Sequence, residues 1–386
     1  MMYGWMTRIR RWPYTFAVCL SLAVGVAAMV ASAQVGVPMK DPDGFLGPAY
    51  VRLPLLALLI FATGIIPAAL RRRSWRELPQ GVIDVVRHEW SLYRVFAIGI
   101  GLLAFYCCYV GYRNLKNVLP IYRDGVLFDE QLLAFDRWLG GGVDPAVLLH
   151  TILGTGLTAD FLSFIYLAYL PLVPISLGFF LVCSRRISVG AWYATALSLN
   201  WVLGVVSYYL IPSLGPIFAR PDLFRVLPET GVSDLQGALL YNRLDFLADP
   251  TMSEKIHGIA GFASLHVSVT FTAALFMHYT GQRLLMRVCA WAFFGLTMVA
   301  TLYFGWHYIP DNVAGMAIGW GSVAIGAWAT GNTRRRRRSA EEAVLDAELA
   351  DQDDDEAVAR PVSAGAAATP ESPVVAEAES TLRDRR

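Results

Sequence analysis

Apolar residues in this chain come in long blocks. Eight blocks meet or approach the roughly 20 helical residues needed to cross a hydrocarbon core. They lie at roughly 14–34, 50–70, 92–112, 159–183, 188–212, 261–279, 286–306 and 309–331. The pattern predicts an all-α, polytopic membrane protein with eight transmembrane helices. Pro171, Pro174 and Pro212 fall in or at the ends of blocks, where neighbouring helices can satisfy the backbone groups a proline frees. Composition agrees: 55% of the 386 residues are hydrophobic and 16% are charged, against about 25% charged in soluble domains.

The net charge of +1 identifies no partner, but the placement of arginines orients the chain. Arg8, Arg10 and Arg11 precede the first block. Arg71, Arg72, Arg73, Arg76 and Arg87 follow the second, Arg185 and Arg186 the fourth, Arg283 and Arg287 the sixth, and Arg334 to Arg338 the last. With eight spans all five clusters share one side, so the positive-inside rule puts both termini in the cytoplasm of a cell (plasma) membrane protein. The segments 35–49, 113–158, 213–260 and the turn near 304–309 then lie outside. The first block also resembles a signal peptide, with Ala31-Ser32-Ala33 as a cleavage site. Its length favours a retained span, and cleavage would leave every later loop on its side.

Three parts follow: 1–91, two helices and a basic loop; 92–331, a six-helix unit; and 332–386, a tail. The tail, rich in Ala, Glu, Asp and Pro, cannot bury a core and is expected to be disordered. Its five arginines suit anionic headgroups or a stop-transfer anchor. In the second outer segment, Phe128, Leu132, Phe135 and Leu139, with Leu133 and Trp138, form an apolar stripe that suits an interfacial helix or one packed on the protein. Cys19, Cys107, Cys108, Cys183 and Cys289 lie in apolar blocks without metal-type spacing, and are expected to be small buried residues.

Of six histidines, His88 and His278 fall on the cytoplasmic side, and His150, His257, His266 and His307 on or near the outer side. His266 follows the glycine-containing run Gly258 to Ser264 near the start of a span. A helix amino end there offers N–H groups and a positive dipole end to phosphate, and Ser264 adds a hydroxyl. His307 sits at the turn between the last two spans with Asp311 four residues later. In a helix that spacing shares a face. A carboxylate on one ring nitrogen fixes the tautomer and leaves the other nitrogen as nucleophile. An isolated interfacial histidine is as readily structural, but two such settings on one side point to chemistry.

These segments resemble signature motifs of the type-2 phosphatidic acid phosphatase superfamily, above all its inositol phosphorylceramide synthase (aureobasidin-resistance) branch. Ala263-Ser264-Leu265-His266 is similar to the branch's Pro-Ser-Leu-His. His307-Tyr308, Asp311, Ala314 and Gly315 are similar to its His-Tyr-x-x-Asp-x-x-Ala-Gly. Tyr208 to Pro212, with Gly215-Pro216, is similar to its proline-bearing segment. The resemblance spans roughly 92–331. It implies that His307 attacks phosphorus to form a phosphohistidine, that Asp311 orients it, and that His266 protonates the leaving group and then activates the acceptor. It implies a lipid phosphate donor, phosphatidylinositol for this branch, and a lipid or glycan hydroxyl acceptor. No metal or other cofactor and no nucleic-acid partner is expected.

The hydrolytic members carry a Lys-x6-Arg-Pro motif and a Ser-Arg pair before the nucleophile. Here Ala300 and Thr301 occupy the Ser-Arg positions, and no clear Lys-x6-Arg-Pro appears in the matching region. Phosphate still needs donors. Among outer basic residues Arg113, Lys116 and Arg220 are the candidates, beside Ser264 and Tyr308, with Arg123, Arg225, Arg243 and Lys255 also available. The departures favour transfer over the alternative, a lipid or polyprenyl phosphate phosphatase. A non-catalytic transporter or scaffold is a second alternative. The orientation is testable: in a cysteine-free background, cysteines at positions 140 and 230 are expected to label from outside intact cells. One at position 75 is expected not to, and its labelling from outside would refute the topology.

Overall fold

The computed structural model describes residues 12–42, 49–72, 75–184, 186–253 and 255–333. Among them are thirteen α-helices and no strands. Eight fall on the eight apolar blocks: α1 (Thr15–Val35), α2 (Ala49–Arg72), α4 (Leu92–Tyr122), α7 (Leu157–Cys183), α8 (Ile187–Leu210), α11 (Leu265–Tyr279), α12 (Leu284–Tyr303) and α13 (Ile309–Ala329). The shorter α3 (Leu78–Glu89), α5 (Asp129–Leu139), α6 (Pro145–Leu153), α9 (Pro216–Ala219) and α10 (Gly231–Ala248) connect them. The protein is an all-α membrane protein, and α1, α4, α7, α8 and α12 are long and apolar enough to cross a bilayer. The amino-terminal arginines, Arg73, Arg185 and the tail after 333 lie outside the described residues.

The connections segregate to two ends of the bundle. At one end Arg94, near the start of α4, donates to the carbonyls of Val182 in the last turn of α7 and Ser184 just after it, and Asn332 donates to the carbonyl of Ser188. At the other end the Phe128 N–H meets the Pro212 carbonyl, Tyr303 bonds Gly154, and Gly261 bonds Ser213. The candidate histidines lie at this second end. Helix α1 runs alongside α4 as an integral part of the fold: a Cβ on Gly111 would lie 2.7 Å from Val24, and Tyr122 bonds the Ala31 carbonyl.

Helix α8 is the most enclosed, and most of its residues are buried. Trp192 donates to the Val323 carbonyl of α13 at 2.8 Å. Phe180, Tyr193 and Phe276 pack ring on ring with centroids within 4.8 Å of each other. Asn200 bonds Thr272 at 3.0 Å and also Ser268 on α11. Such polar pairs fix the rotation of helices whose apolar surfaces alone would slide.

Three expectations change. Helix α4 continues to Tyr122, so 113–122 is helix rather than loop, and Arg113 and Lys116 sit on a rigid element. Its 31 residues extend about 46 Å, beyond a core of about 30 Å. Helix α5 forms where the stripe places it, but the stripe divides: Leu132 is buried, whereas Phe135, Trp138 and Leu139 face outward, Trp138 with 73% exposure. Asp129 and Asp136 make the inward face, because both carboxylates find N–H donors there. Cys108 is buried and Cys107 partly so, but Cys19, Cys183 and Cys289 are exposed on the bundle's outer faces.

The approach of α11 to α13 positions the site. A Cβ on Gly315 would lie 2.4 Å from the Ser264 carbonyl oxygen, and one on Gly319 2.6 Å from that of Ser268. Two small residues four apart let the backbones touch, and the Ser264 N–H donates to the Asp311 carbonyl at 3.0 Å. Gly315→Ala is therefore expected to cost about 1–3 kcal/mol, as overpacking does, and to lower activity with it. Gly321→Ala on the same helix meets nothing within 4 Å and is the control. Equal unfolding midpoints for the two variants in detergent would refute the close-contact argument.

Candidate active site

His307 lies in the turn before α13, and Asp311 in that helix's first turn. The predicted pair forms, though from turn to helix rather than along one helical face. His307 Nδ1 is 3.3 Å from Asp311 Oδ2. The same oxygen accepts the Tyr308 N–H at 3.0 Å, so the carboxylate both closes the helix start and orients the ring. Both residues are buried, Asp311 completely. With Nδ1 facing the carboxylate, Nε2 is the ring nitrogen turned away from it.

His266 occupies the second position of α11. Its ring stands opposite His307 with centroids 5.9 Å apart. Tyr166 stacks on it at 4.5 Å and Tyr169 lies at 4.3 Å, both from α7. Trp306 stacks in turn on Tyr166 at 5.4 Å, nearly parallel, and Phe218 closes on Trp306 at 5.9 Å. One wall of the site is thus an aromatic stack that excludes water.

The remaining candidates separate. Ser264 is the N-cap of α11, its hydroxyl accepting from the Val267 N–H, and it is fully buried. The Tyr308 hydroxyl donates to Asp129 at 3.0 Å. Lys116 is 6% exposed. Its ammonium lies over the rings of Tyr208 at 4.9 Å and Tyr112 at 5.9 Å. Arg113 has a buried Nε without a hydrogen-bond partner. Arg220 is not gathered in: it pairs with Asp222 at 2.8 Å, 37% exposed.

Two site-supporting residues were not singled out from sequence. Asp129 accepts the Leu214 and Gly215 N–H groups at 3.0 and 2.9 Å as well as the Tyr308 hydroxyl. Asp136 accepts the Ile309 N–H at 3.0 Å. Their seven-residue spacing, two turns on one face, was the available signal. Burial raises both carboxyl pKa values, that of Asp136 to about 7, with the charges of Asp311 and Asp144 adding to it. Two further histidines hold structure: His150 bonds the Tyr303 carbonyl, and His257 bonds Asn117. Burial lowers the pKa of both, that of His257 to about 3 with help from Arg243.

The sequence model of the PAP2 superfamily matches residues 130–325, just over half the chain and every element that carries the two histidines. The chain belongs to the PAP2 superfamily. This superfamily of membrane phosphatases and phosphotransferases makes the chain a phosphoryl-transfer enzyme in general terms. No curated protein and no solved structure matched it. The PAP2 match excludes α4. Lys116 in α4 and Arg123 just after it have the Lys-x6-Arg spacing of the hydrolytic members, but Asp124 follows in place of proline.

The Asp136 shift yields a stability test. Its folded-state pKa of about 7 lies above the ordinary 3.8. The folded state therefore favours the protonated acid, and that stability, full below the ordinary value, is lost as pH rises toward 7. Asp136→Asn keeps an oxygen for Ile309 and cannot ionise. Its unfolding midpoint, relative to the parent protein, is expected to climb between pH 4 and pH 7 and level off above. A difference independent of pH would refute the assignment.

Proposed function

We propose that this PAP2 protein transfers a phosphoryl headgroup, phosphoinositol from phosphatidylinositol, to a hydroxyl of a lipid or glycan acceptor. The reaction runs on the outer face of the plasma membrane, in a bundle of eight spans with cytoplasmic termini. The observation that carries the reading is the Asp311–His307 pair facing His266 across 5.9 Å between ring centroids. A phosphoryl group fits between an oriented nucleophile and an acid–base group so placed.

In the first step His307 Nε2 attacks phosphorus. The bond from phosphorus to the lipid oxygen breaks, and His266 gives that oxygen a proton, releasing diacylglycerol. In the second step His266 takes the proton of the acceptor hydroxyl, the acceptor oxygen attacks phosphorus, and the nitrogen–phosphorus bond breaks. Asp311 stabilises the imidazolium that forms in the first step. Lys116, with Arg113 beside it, neutralises the phosphoryl oxygens.

Two observations favour transfer over hydrolysis. Ala300 and Thr301, at the hydrolytic Ser-Arg positions, are fully buried, and the Thr301 hydroxyl bonds Met298 and Asn312. The Trp306–Tyr166–His266 stack also shields the acid–base group from water.

The test is incubation of purified protein with labelled phosphatidylinositol and membrane extract. The label is expected on an acceptor, at a rate that rises strongly when the right hydroxyl compound is present. Free inositol phosphate at a rate indifferent to acceptor would establish hydrolysis instead. In the same assay His307→Ala is expected to abolish turnover, and His266→Ala to cut it by about 10²–10⁴-fold. Asp311→Asn is expected to fold and lose most of its rate. Near-normal turnover by His307→Ala would rule out the phosphohistidine.

A further inference from the structure

The two histidines belong to segments far apart in the chain, and a single buried carboxylate ties both to one place. Asp129 is the first residue of α5 and lies one position before the residues matched to the PAP2 superfamily. Toward His307, Asp129 Oδ1 accepts the Tyr308 hydroxyl at 3.0 Å, and Tyr308 is the next residue after the nucleophile. Toward His266, the same carboxylate accepts the Leu214 and Gly215 N–H groups. The neighbouring Ser213 accepts the Gly261 N–H on its carbonyl at 2.7 Å and the Phe262 N–H on its hydroxyl at 3.0 Å. Those two residues lead into Ser264 and the start of α11.

The segment Pro212 to Gly215 is clamped on both sides. The Phe128 N–H donates to the Pro212 carbonyl at 2.8 Å. Gly215 has φ +103°, and a Cβ there would lie 2.4 Å from the Trp306 carbonyl oxygen. A Cβ on Gly261 would come within 3.5 Å of both Asp311 Oδ2 and the Gly215 nitrogen. The two histidine-bearing segments and the 212–215 segment therefore meet at van der Waals distance, with Asp129 bonded across the junction.

We propose that Asp129 is a positioning residue for phosphoryl transfer: it sets the separation of His266 and His307 by bonding Tyr308 on one side and the 214–215 backbone on the other. The inference rests on the reading that these two histidines act on one phosphorus. Attack by one ring and protonation by the other both depend on that separation, and displacement by about 1 Å can cost about 10²-fold in rate. Binding of a tetrahedral anion through charge alone depends on it far less.

Orthovanadate, which adopts the five-coordinate geometry of a phosphoryl group in transfer, and orthophosphate, which does not, separate the two cases. Both are titrated calorimetrically into the full-length protein in detergent, with the parent protein, His307→Ala, Asp129→Ala, Tyr308→Phe and the Asp129→Ala/Tyr308→Phe double variant. Asp129→Ala is expected to weaken vanadate binding about tenfold or more while orthophosphate binding changes much less. Tyr308→Phe, which leaves the 214–215 bonds in place, is expected to shift vanadate in the same direction. The double variant is expected to lose no more than Asp129→Ala alone.

Vanadate affinity like that of the parent in folded Asp129→Ala, or equal losses for both anions, would overturn the proposal and leave Asp129 a purely structural residue. If Asp129→Ala does not fold, Tyr308→Phe decides, and unchanged vanadate affinity there overturns the link. Parent-like vanadate binding by His307→Ala would instead overturn the two-histidine reading itself, and the Asp129 proposal with it.

Discussion

The start of α13 is largely enclosed, with Tyr308 and Asp311 fully buried, so its free N–H groups need partners in the protein. Three features meet that demand. Tyr308 N–H goes to Asp311, Ile309 N–H goes to Asp136, and Pro310 has no N–H to satisfy. Much of the site follows. The carboxylate that closes the helix is the one that orients His307, so the chemistry borrows a group that the fold already requires. The second carboxylate draws α5 against the bundle, and with α5 comes Asp129.

That requirement also explains an unusual polarity. Helix α5 turns its acids inward and its aromatics outward, because the inward surface is a row of backbone donors, those of Leu214, Gly215 and Ile309. A helix of this kind at a bilayer surface has both faces in favourable surroundings. The cost falls on the carboxyl groups, whose pKa values rise with burial.

The eight apolar blocks and the placement of His266, His307 and Asp311 at one end of the bundle were legible in the sequence. Length and apolarity give helices, and a histidine four residues before an aspartate at a span's start has few other uses. The faces of α5 were only partly legible, because its stripe of Phe128, Leu132, Phe135 and Leu139 suits an interfacial helix and one packed on the protein equally. Only the location of unsatisfied N–H groups, a tertiary property, decides which side the acids take. The length of α4 was hidden for a related reason: Asn114, Lys116 and Asn117 look like loop residues, yet Asn114 is occupied by Lys40 and Asn117 by His257. The Tyr166 and Tyr169 stack on His266 joins residues about a hundred positions apart, beyond the reach of any local pattern. Cys19, Cys183 and Cys289 show that an apolar block does not say which of its sides faces lipid.

The contact of Gly315 and Gly319 with the backbone of α11 sets the helix separation by the thickness of the main chain itself. A gap defined that way is a calliper whose hinge is main chain, while the bonds of Asp129 hold the two histidine-bearing segments at its mouth. The space between α11 and α13 therefore has little latitude in width. Discrimination is left to residues outside this contact and outside the Asp129 and Asp136 bonds that hold α5. In such a molecule the reaction and the choice of substrate are free to diverge separately.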